Sequence, residues 1–364
     1  MIIFLLVLFA LILVHEWGHF IAAKKTGMRV DEFGIGFPPK LYGIKKGETE
    51  YTLNTLPIGG FVRIFGENPD TIEESDKIDL SRAFGSRPLW AQAVVLVAGV
   101  TMNVIFAWLL FFATFLLGVP TVVENGSASD SASLYISGVL PNGPLHEKVK
   151  AGSQIMRVES GDSMLENLNP ATFTEFIQNH ANEEITIISK LGDEQSEVVV
   201  RPVRGILDGS EDKPAVGVSL ALVENQKSSF LEAIPAATNA TYSGLINITV
   251  GLFTLIAQSV QGTADFSQVA GPVGIVGMVG DAASFGLTSL LTFTAVISLN
   301  LAVINMLPVP ALDGGRLLFV AYEAIVRRPV SPIWAGRVNL VGFALLMLLM
   351  VVVTYNDIAR LIGF

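Results

Sequence analysis

Cysteine is absent from the 364 residues, and charge is scarce, with Asp, Glu, Lys and Arg making up 15% of the chain, where soluble proteins carry about a quarter. Without thiols there is no disulfide, no thiolate metal site and no cysteine nucleophile. Any catalysis therefore falls to imidazoles, carboxylates, hydroxyls or a metal held through N and O atoms. Histidine is nearly as rare, with four in the chain. Basic residues number 23 against 33 acidic ones, for a net charge of −10. Phosphate binding needs a basic face and none stands out, so nucleic acid is set aside as a partner. What is abundant is apolar surface: 51% of the residues are hydrophobic and the mean hydropathy is +0.55. That composition excludes a purely soluble globule and points to a membrane protein with soluble parts.

Four stretches carry the apolar excess and read as transmembrane helices: 1–23, 91–117, 289–307 and 339–354. The first ends at Lys24 and Lys25, has no basic residue before it and lacks a small-residue cleavage site. It is expected to be a spanning helix and not a removable signal peptide. Trp90 stands at the entry to the second, where an aromatic ring suits the headgroup level. The segment 24–90 has 10 Lys and Arg, whereas 118–288 has 8 with 19 acidic residues. The positive-inside bias puts 24–90, and the loop 308–338 with Arg316, Arg327, Arg328 and Arg337, in the cytoplasm, and the long middle segment outside. Within 228–288, residues 245–257 are nearly all apolar and imitate a fifth span. The polar Thr238, Asn239, Thr241, Ser243, Asn247 and Thr249 around them favour an amphipathic helix on the bilayer surface.

Two soluble inserts remain. In the first loop, 51–64 alternates in places and is broken by Pro57, Gly59 and Gly60, as in strands joined by a turn or bulge. A small cytoplasmic-side hairpin or sheet is predicted there. An extended substrate could add to its exposed edge, and a hairpin that only packs against the membrane face fits the pattern as well. In the middle segment, strands are predicted at 136–140, 185–189 and 197–203, and a helix at 170–181 capped near Asn169. Together they suit a compact α+β domain of about 100 residues.

The chemistry concentrates in the first span, which reads His15-Glu16-Trp17-Gly18-His19, an H-E-x-x-H pattern. One helical turn separates the two imidazoles, so both point to one side, and Glu16 can reach a water at the same metal. Two satisfied helix histidines with a carboxylate partner would be the bland alternative. Three ionisable groups in hydrocarbon are costly to keep folded without a function. A catalytic zinc needs a third protein ligand and an open position. His146 and His180 fall in the external segment and read as surface histidines. Between Asp281 and Glu323 the one acidic side chain is Asp313, after the third span in Asn305-Met-Leu-Pro308-Val-Pro310-Ala-Leu312-Asp313-Gly314-Gly315. There the prolines break the helix at membrane depth. Asp313 either joins the site or opens a glycine-assisted turn. With four spans, the ends of the first and third reach the same membrane face, which favours the site.

H-E-x-x-H in the first span, N-x-x-P-x-P-x-L-D-G at 305–314 and Gly271-Pro-Val-Gly-Ile275 together make the chain resemble the site-2 protease family of intramembrane zinc metalloproteases, its regulator-of-sigma-E branch in particular. The resemblance implies Zn2+ held by His15, His19 and Asp313, with Glu16 as general base. It implies contact of substrate with Asn305, Pro308 and Pro310, and it favours a binding role for the strand edge at Gly59 and Gly60. The segment 133–222 resembles a PDZ domain through Gly138-Val-Leu-Pro141 and Ala151-Gly-Ser153, although Ser153 and Gln154 stand where a Gly-Asp pair is usual. The implied protein is a mainly α, multi-pass protein of the bacterial inner membrane. It has four transmembrane helices, a cytoplasmic-side hairpin and an inserted extracytoplasmic PDZ-like domain. Its implied reaction is hydrolysis of peptide bonds in or beside the transmembrane segments of membrane proteins such as anti-sigma factors or remnant signal peptides. The alternative is a non-proteolytic membrane adaptor with a structural metal. Glu16 speaks against it, since a closed structural site needs no base.

Overall fold

The structure is a computed structural model that describes every residue except 68–79, 124–128, 130–131, 193, 207–212, 264–269 and 363–364. Parts of the predicted cytoplasmic loop, PDZ-like segment and 228–288 region therefore lie outside the described residues. The chain divides into two units. One comprises residues 1–112, 235–280 and 291–364, and the other residues 113–234 and 281–290.

The first unit is built on apolar helices. α1 (Ile2–Lys25) ends with Lys24 and Lys25 in its last turn, where positive charge complements the helix dipole. The Thr26 N–H and hydroxyl both donate to the Ala22 carbonyl. α2 (Leu89–Leu117) follows Pro88, and the long helices α4 (Phe230–Gln261), α6 (Leu287–Asn305) and α8 (Pro332–Leu361) complete the apolar set. Among the described residues, five helices are thus long and apolar enough to cross a membrane, where four spans were expected. A helix suits this setting because it pairs its backbone polar groups internally.

The additional helix is α4, in the stretch whose Asn, Thr and Ser residues suggest a surface helix. Two of those groups are satisfied at short range. The Thr241 hydroxyl donates to Ala237 O on its own helix at 2.8 Å, and Thr238 Oγ1 accepts from Trp108 Nε1 at 3.1 Å. Polar residues bonded in this way weigh less against an apolar helix than their hydropathy implies.

Between α1 and α2 lie β1 (Val30–Lys46) and β2 (Thr49–Ile64), which pair as a two-stranded sheet. The ribbon folds over on itself, so that Glu32 to Ile35 have Glu50 to Leu53 on one side and Gly60 to Arg63 on the other. Residues 60–64 consequently form an edge. Arg82 holds the Glu48 carboxylate in the turn through two hydrogen bonds of 2.6 and 2.9 Å, and Lys24 adds a third of 2.6 Å. These cations hold the Glu48 carboxyl down at about 2, so it is ionised at neutral pH and ties the turn to the end of α1.

α5 (Pro272–Ser284) begins at the Gly271-Pro-Val-Gly-Ile275 motif. Asp357, near the end of α8, accepts from the Gly271 and Gly274 N–H groups at 3.0 and 2.8 Å. A buried carboxylate on the first-turn amides of a helix satisfies orphan donors and complements the dipole. The sequence reading uses Asp357 only as the polar border of the last span. α7 (Asp313–Val326) carries the second cluster of motif residues.

The second unit contains β3 (Val119–Val123), β4 (Ser133–Val139), β5 (Gln154–Ser160), β6 (Ser163–Met164), α3 (Pro170–Asn179), β7 (Ile185–Leu191), β8 (Glu194–Val200) and β9 (Val218–Gln226). Its sheet runs in the order β3-β9-β4-β5-β7-β8, with β6 on β5. Alternation along β7 sends Ile185 and Ile187 into a core with Leu134, Ile136, Ile155, Val158 and Phe173, the period-2 pattern of a half-buried strand. The predicted helix is α3. Asn169 caps it, its side chain accepting from the Ala171 and Thr172 N–H groups at 3.0 Å each, as an N-cap asparagine should.

Candidate metal centre

The site lies wholly within the first unit and is built from α1, α2, β2 and α7. On α1, His15 and His19 stand one turn apart with rings edge-on, their centroids separated by 4.7 Å. Asp313 opens α7. The loop before it turns back sharply, with Ala311 in the left-handed region at φ 75°, and Asn339 of α8 accepts from the Ala311 N–H at 3.3 Å. Gly314 and Gly315 let α7 start against this loop. A Cβ on Gly314 would sit 2.3 Å from both the Met306 and Leu307 carbonyl oxygens, and one on Gly315 would sit 2.2 Å from that of Val309. Only glycine permits so close an approach of backbone to backbone, and this is why the aspartate is followed by two of them.

His15, His19 and Asp313 each offer one ligand atom, and the three atoms lie within 4.8 Å of one another. The Nε2 atoms of His15 and His19 are 3.1 Å apart, and Asp313 Oδ2 stands 3.2 and 3.4 Å from them. Zinc with N and O ligands at 2.0–2.2 Å in a tetrahedron sets its ligand atoms about 3.4 Å apart, so the spacing fits that ion. Asp313 Oδ2 is buried and has no hydrogen-bond partner among the described residues, despite its short distances to the imidazoles. An acceptor left in this state by the protein is one suited to a cation. His19 Nδ1 donates to Val95 O at 2.8 Å. That bond leaves the Nε2 lone pair free to ligate, as histidine ligands require.

α2 makes room for the rings through Gly99. A Cβ there would lie 2.3 Å from His19 Nε2 and 2.8 Å from His15 Cε1. Glu16, beside the cluster, accepts from the Val62 N–H at 3.0 Å, so the edge of β2 touches the carboxylate directly. The three metal-ligating candidates and Glu16 line one cavity of about 230 Å³ with Phe61, Val62, Ala311 and Arg316. Arg316 pairs with Glu67, which follows β2. A carboxylate, three electron-pair donors and an open cavity are the components of metal-assisted hydrolysis.

The sequence-predicted site residues fall into two groups. His15, His19, Asp313 and Glu16 come together, and Gly60 neighbours Glu16 on the strand edge. Gly59 makes the turn before it at φ 105°. Asn305 ends α6, and Pro308 and Pro310 form the loop leading to Asp313. Pro310 packs against α8 at Gly342. His146 and His180 belong to the second unit. Sequence reasoning missed Val95, Gly99, Asn103, Asn339 and Arg316. The first three lie at four-residue spacing on α2, which a search for polar residues on the second span would reach only at Asn103.

Residues 3–349 match the family described as Peptidase family M50. The chain is 38% identical to a Clostridium perfringens protein that carries a zinc-metalloprotease name, over 98% of each chain. It is 30% identical to the zinc metalloprotease RasP of Shouchella clausii, again over 98% of both. It is 28% identical to the regulator of sigma-W protease RasP of Bacillus subtilis, also over 98% of both. With nearly its whole length matched and its apolar helices built around a zinc-shaped donor set, the chain belongs to peptidase family M50, the site-2 proteases, as a multi-pass intramembrane zinc metalloprotease.

Proposed function

We propose that His15, His19 and Asp313 hold the zinc ion and that Glu16 is the general base for hydrolysis of a peptide bond in or beside a substrate's transmembrane helix. The observation that carries this reading is the convergence of three lone-pair donors from opposite ends of the chain, at 3.1, 3.2 and 3.4 Å from one another. Bound zinc polarises the scissile carbonyl and makes water at the site more acidic. The Glu16 carboxylate takes the proton of the attacking water and delivers it to the leaving amine. A helical substrate hides its amides in its own hydrogen bonds and must unwind to be cut. The edge at 60–64 pairs with the unwound strand, Gly59 and Gly60 keep its approach to Glu16 open, and Asn305, Pro308 and Pro310 are the further proposed substrate contacts.

The chain crosses the bacterial inner membrane four times, with the metal centre toward the cytoplasm and 133–222 outside as a PDZ-like domain. Contact of His19 with Asp313 requires the ends of α1 and α6 to meet at one membrane face, which supports α4 remaining uncrossed. A groove between α3 and β9, lined by Phe173, Ile177, Lys213 and Val218, supports a role for the domain in admitting substrates. Membrane-anchored anti-sigma factors and remnant signal peptides are the proposed substrates, as the name of the Bacillus subtilis relative suggests for the former.

Two experiments test this. In the naturally cysteine-free chain, single cysteines at Lys46 and Arg328 are expected to label from the cytoplasmic side and one at Ser163 from outside. Arg328 labelling with Ser163 would mean that α4 crosses and that the topology is wrong. The second replaces Asp313 with Asn. If Asp313 is a ligand, the neutral amide holds zinc less tightly, and metal content and cleavage fall together. If it only opens the turn, Asn serves as well as Asp, and full zinc occupancy with full cleavage would remove it from the ligand set.

A further inference from the structure

His19 owes its orientation to a backbone acceptor, the Val95 carbonyl at 2.8 Å from Nδ1. His15 has no such backbone partner among the described residues. Its Nδ1 faces the side chain of Asn103, two turns further along α2, at 3.3 Å. Asn103 is fully buried in a helix that is otherwise almost entirely apolar, a setting in which an amide is costly unless it is bonded. Its backbone carbonyl accepts from Ser298 Oγ of α6 at 2.8 Å, so the residue is fixed in place between two helices while its amide points at the metal centre.

We infer that Asn103 is a positioning residue, whose Oδ1 accepts a hydrogen bond from His15 Nδ1–H and so holds the His15 Nε2 lone pair toward His19 and Asp313. The inference rests on the proposal that His15 ligates zinc. An imidazole that ligates through Nε2 must carry its proton on Nδ1, and that N–H needs an acceptor. In the structure the amide nitrogen faces His15, and Oδ1, on the far side, has no hydrogen-bond partner. Among the described residues no hydrogen bond to Oδ1 is lost by a half-turn of the amide. The two ends of an asparagine amide are set by their bonding partners, and ligation through Nε2 selects the oxygen. α2 thus supplies an acceptor to each imidazole, a backbone carbonyl at Val95 and a side-chain carbonyl at Asn103. This gives the apolar second span its polar role.

The test uses the full-length protein purified in detergent, with zinc affinity measured by competition against a chelator. Asn103→Leu keeps the branched heavy-atom outline and removes the acceptor, and zinc affinity is expected to fall 10–100-fold, the usual cost of losing such a partner. Asn103→Asp keeps the acceptor and is expected to stay within a few-fold of the wild type. Leu binding zinc as tightly as wild type, or Asp losing as much as Leu, would overturn the inference and leave Asn103 a packing residue. Ring-nitrogen chemical shifts of 15N-histidine in the zinc-loaded protein read the tautomer directly. His15 is expected to be protonated at Nδ1, and a loaded wild type without that proton overturns the inference even if the Leu variant fails to fold. His15→Ala separates this inference from its premise. Zinc retained in His15→Ala removes His15 from the ligand set, whereas zinc lost there but retained in Asn103→Leu refutes the positioning role alone.

Discussion

Glu16→Gln is expected to abolish measurable cleavage of a membrane-spanning test substrate while leaving zinc content at the wild-type level. Loss of a positioned general base costs about 10²–10⁴-fold, and an amide cannot take the proton of the attacking water. The structure indicates why the rest of the site should survive. Glu16 makes its bond as an acceptor from the Val62 N–H, at 3.0 Å, and the glutamine carbonyl oxygen can accept the same bond in the same place. Glu16 is also outside the trio whose ligand atoms converge. Paired measurements of bound zinc and turnover on one preparation check this. Persistent cleavage would remove Glu16 as the base, and zinc lost along with activity would show that it supports the ion.

The second large effect is expected from a single methyl group far in sequence from any motif. Gly99→Ala places a Cβ 2.3 Å from His19 Nε2 and 2.7 Å from His19 Cε1, inside the contact distance of the atom proposed to ligate. The ring cannot swing aside freely, because its Nδ1 is held by Val95 O on the same helix, one turn earlier. The expected result is a drop of at least about tenfold in zinc affinity, in line with the loss of a ligand's support, and a parallel fall in cleavage. Alanine in place of glycine favours a helix interior by about 1 kcal/mol, so a loss cannot be ascribed to weakened helix propensity. Gly251→Ala on α4, where a Cβ meets nothing within 4 Å, is the matched control and should leave zinc binding unchanged. Unchanged zinc affinity in Gly99→Ala would show that the imidazoles sit elsewhere when the ion is bound.

The parts of this protein legible in the sequence share a property: each is a short-range pattern. The i, i+4 spacing of His15 and His19 on an apolar helix needs no tertiary information to place both rings on one side. Asp313 was legible by scarcity, as the one carboxylate between Asp281 and Glu323 in a segment broken by prolines. Asn169 before Pro170 announced the cap of α3. In 228–288, hydropathy counts Thr238 and Thr241 as polar wherever their hydroxyls go, while in the folded chain both are bonded within the helical assembly, so composition does not separate a spanning α4 from one lying on the membrane surface.

The sequence by itself determined the chemistry: without cysteine, and with half the histidines in one helical turn, an N- and O-ligated metal with a neighbouring carboxylate was the reading it favoured. Only the tertiary structure decided what surrounds that chemistry. That Gly99 must lack a side chain, that Val95 and Asn103 face the imidazoles, that Asn339 steadies the loop before Asp313 and that the strand edge at Val62 reaches Glu16 are all contacts between segments 28 to 88 residues apart. The physical reason is that a ligand's identity is set by its own side chain and its helical period. Its orientation is set by hydrogen-bond acceptors and free space supplied by another element, and chain order carries no record of which element that will be.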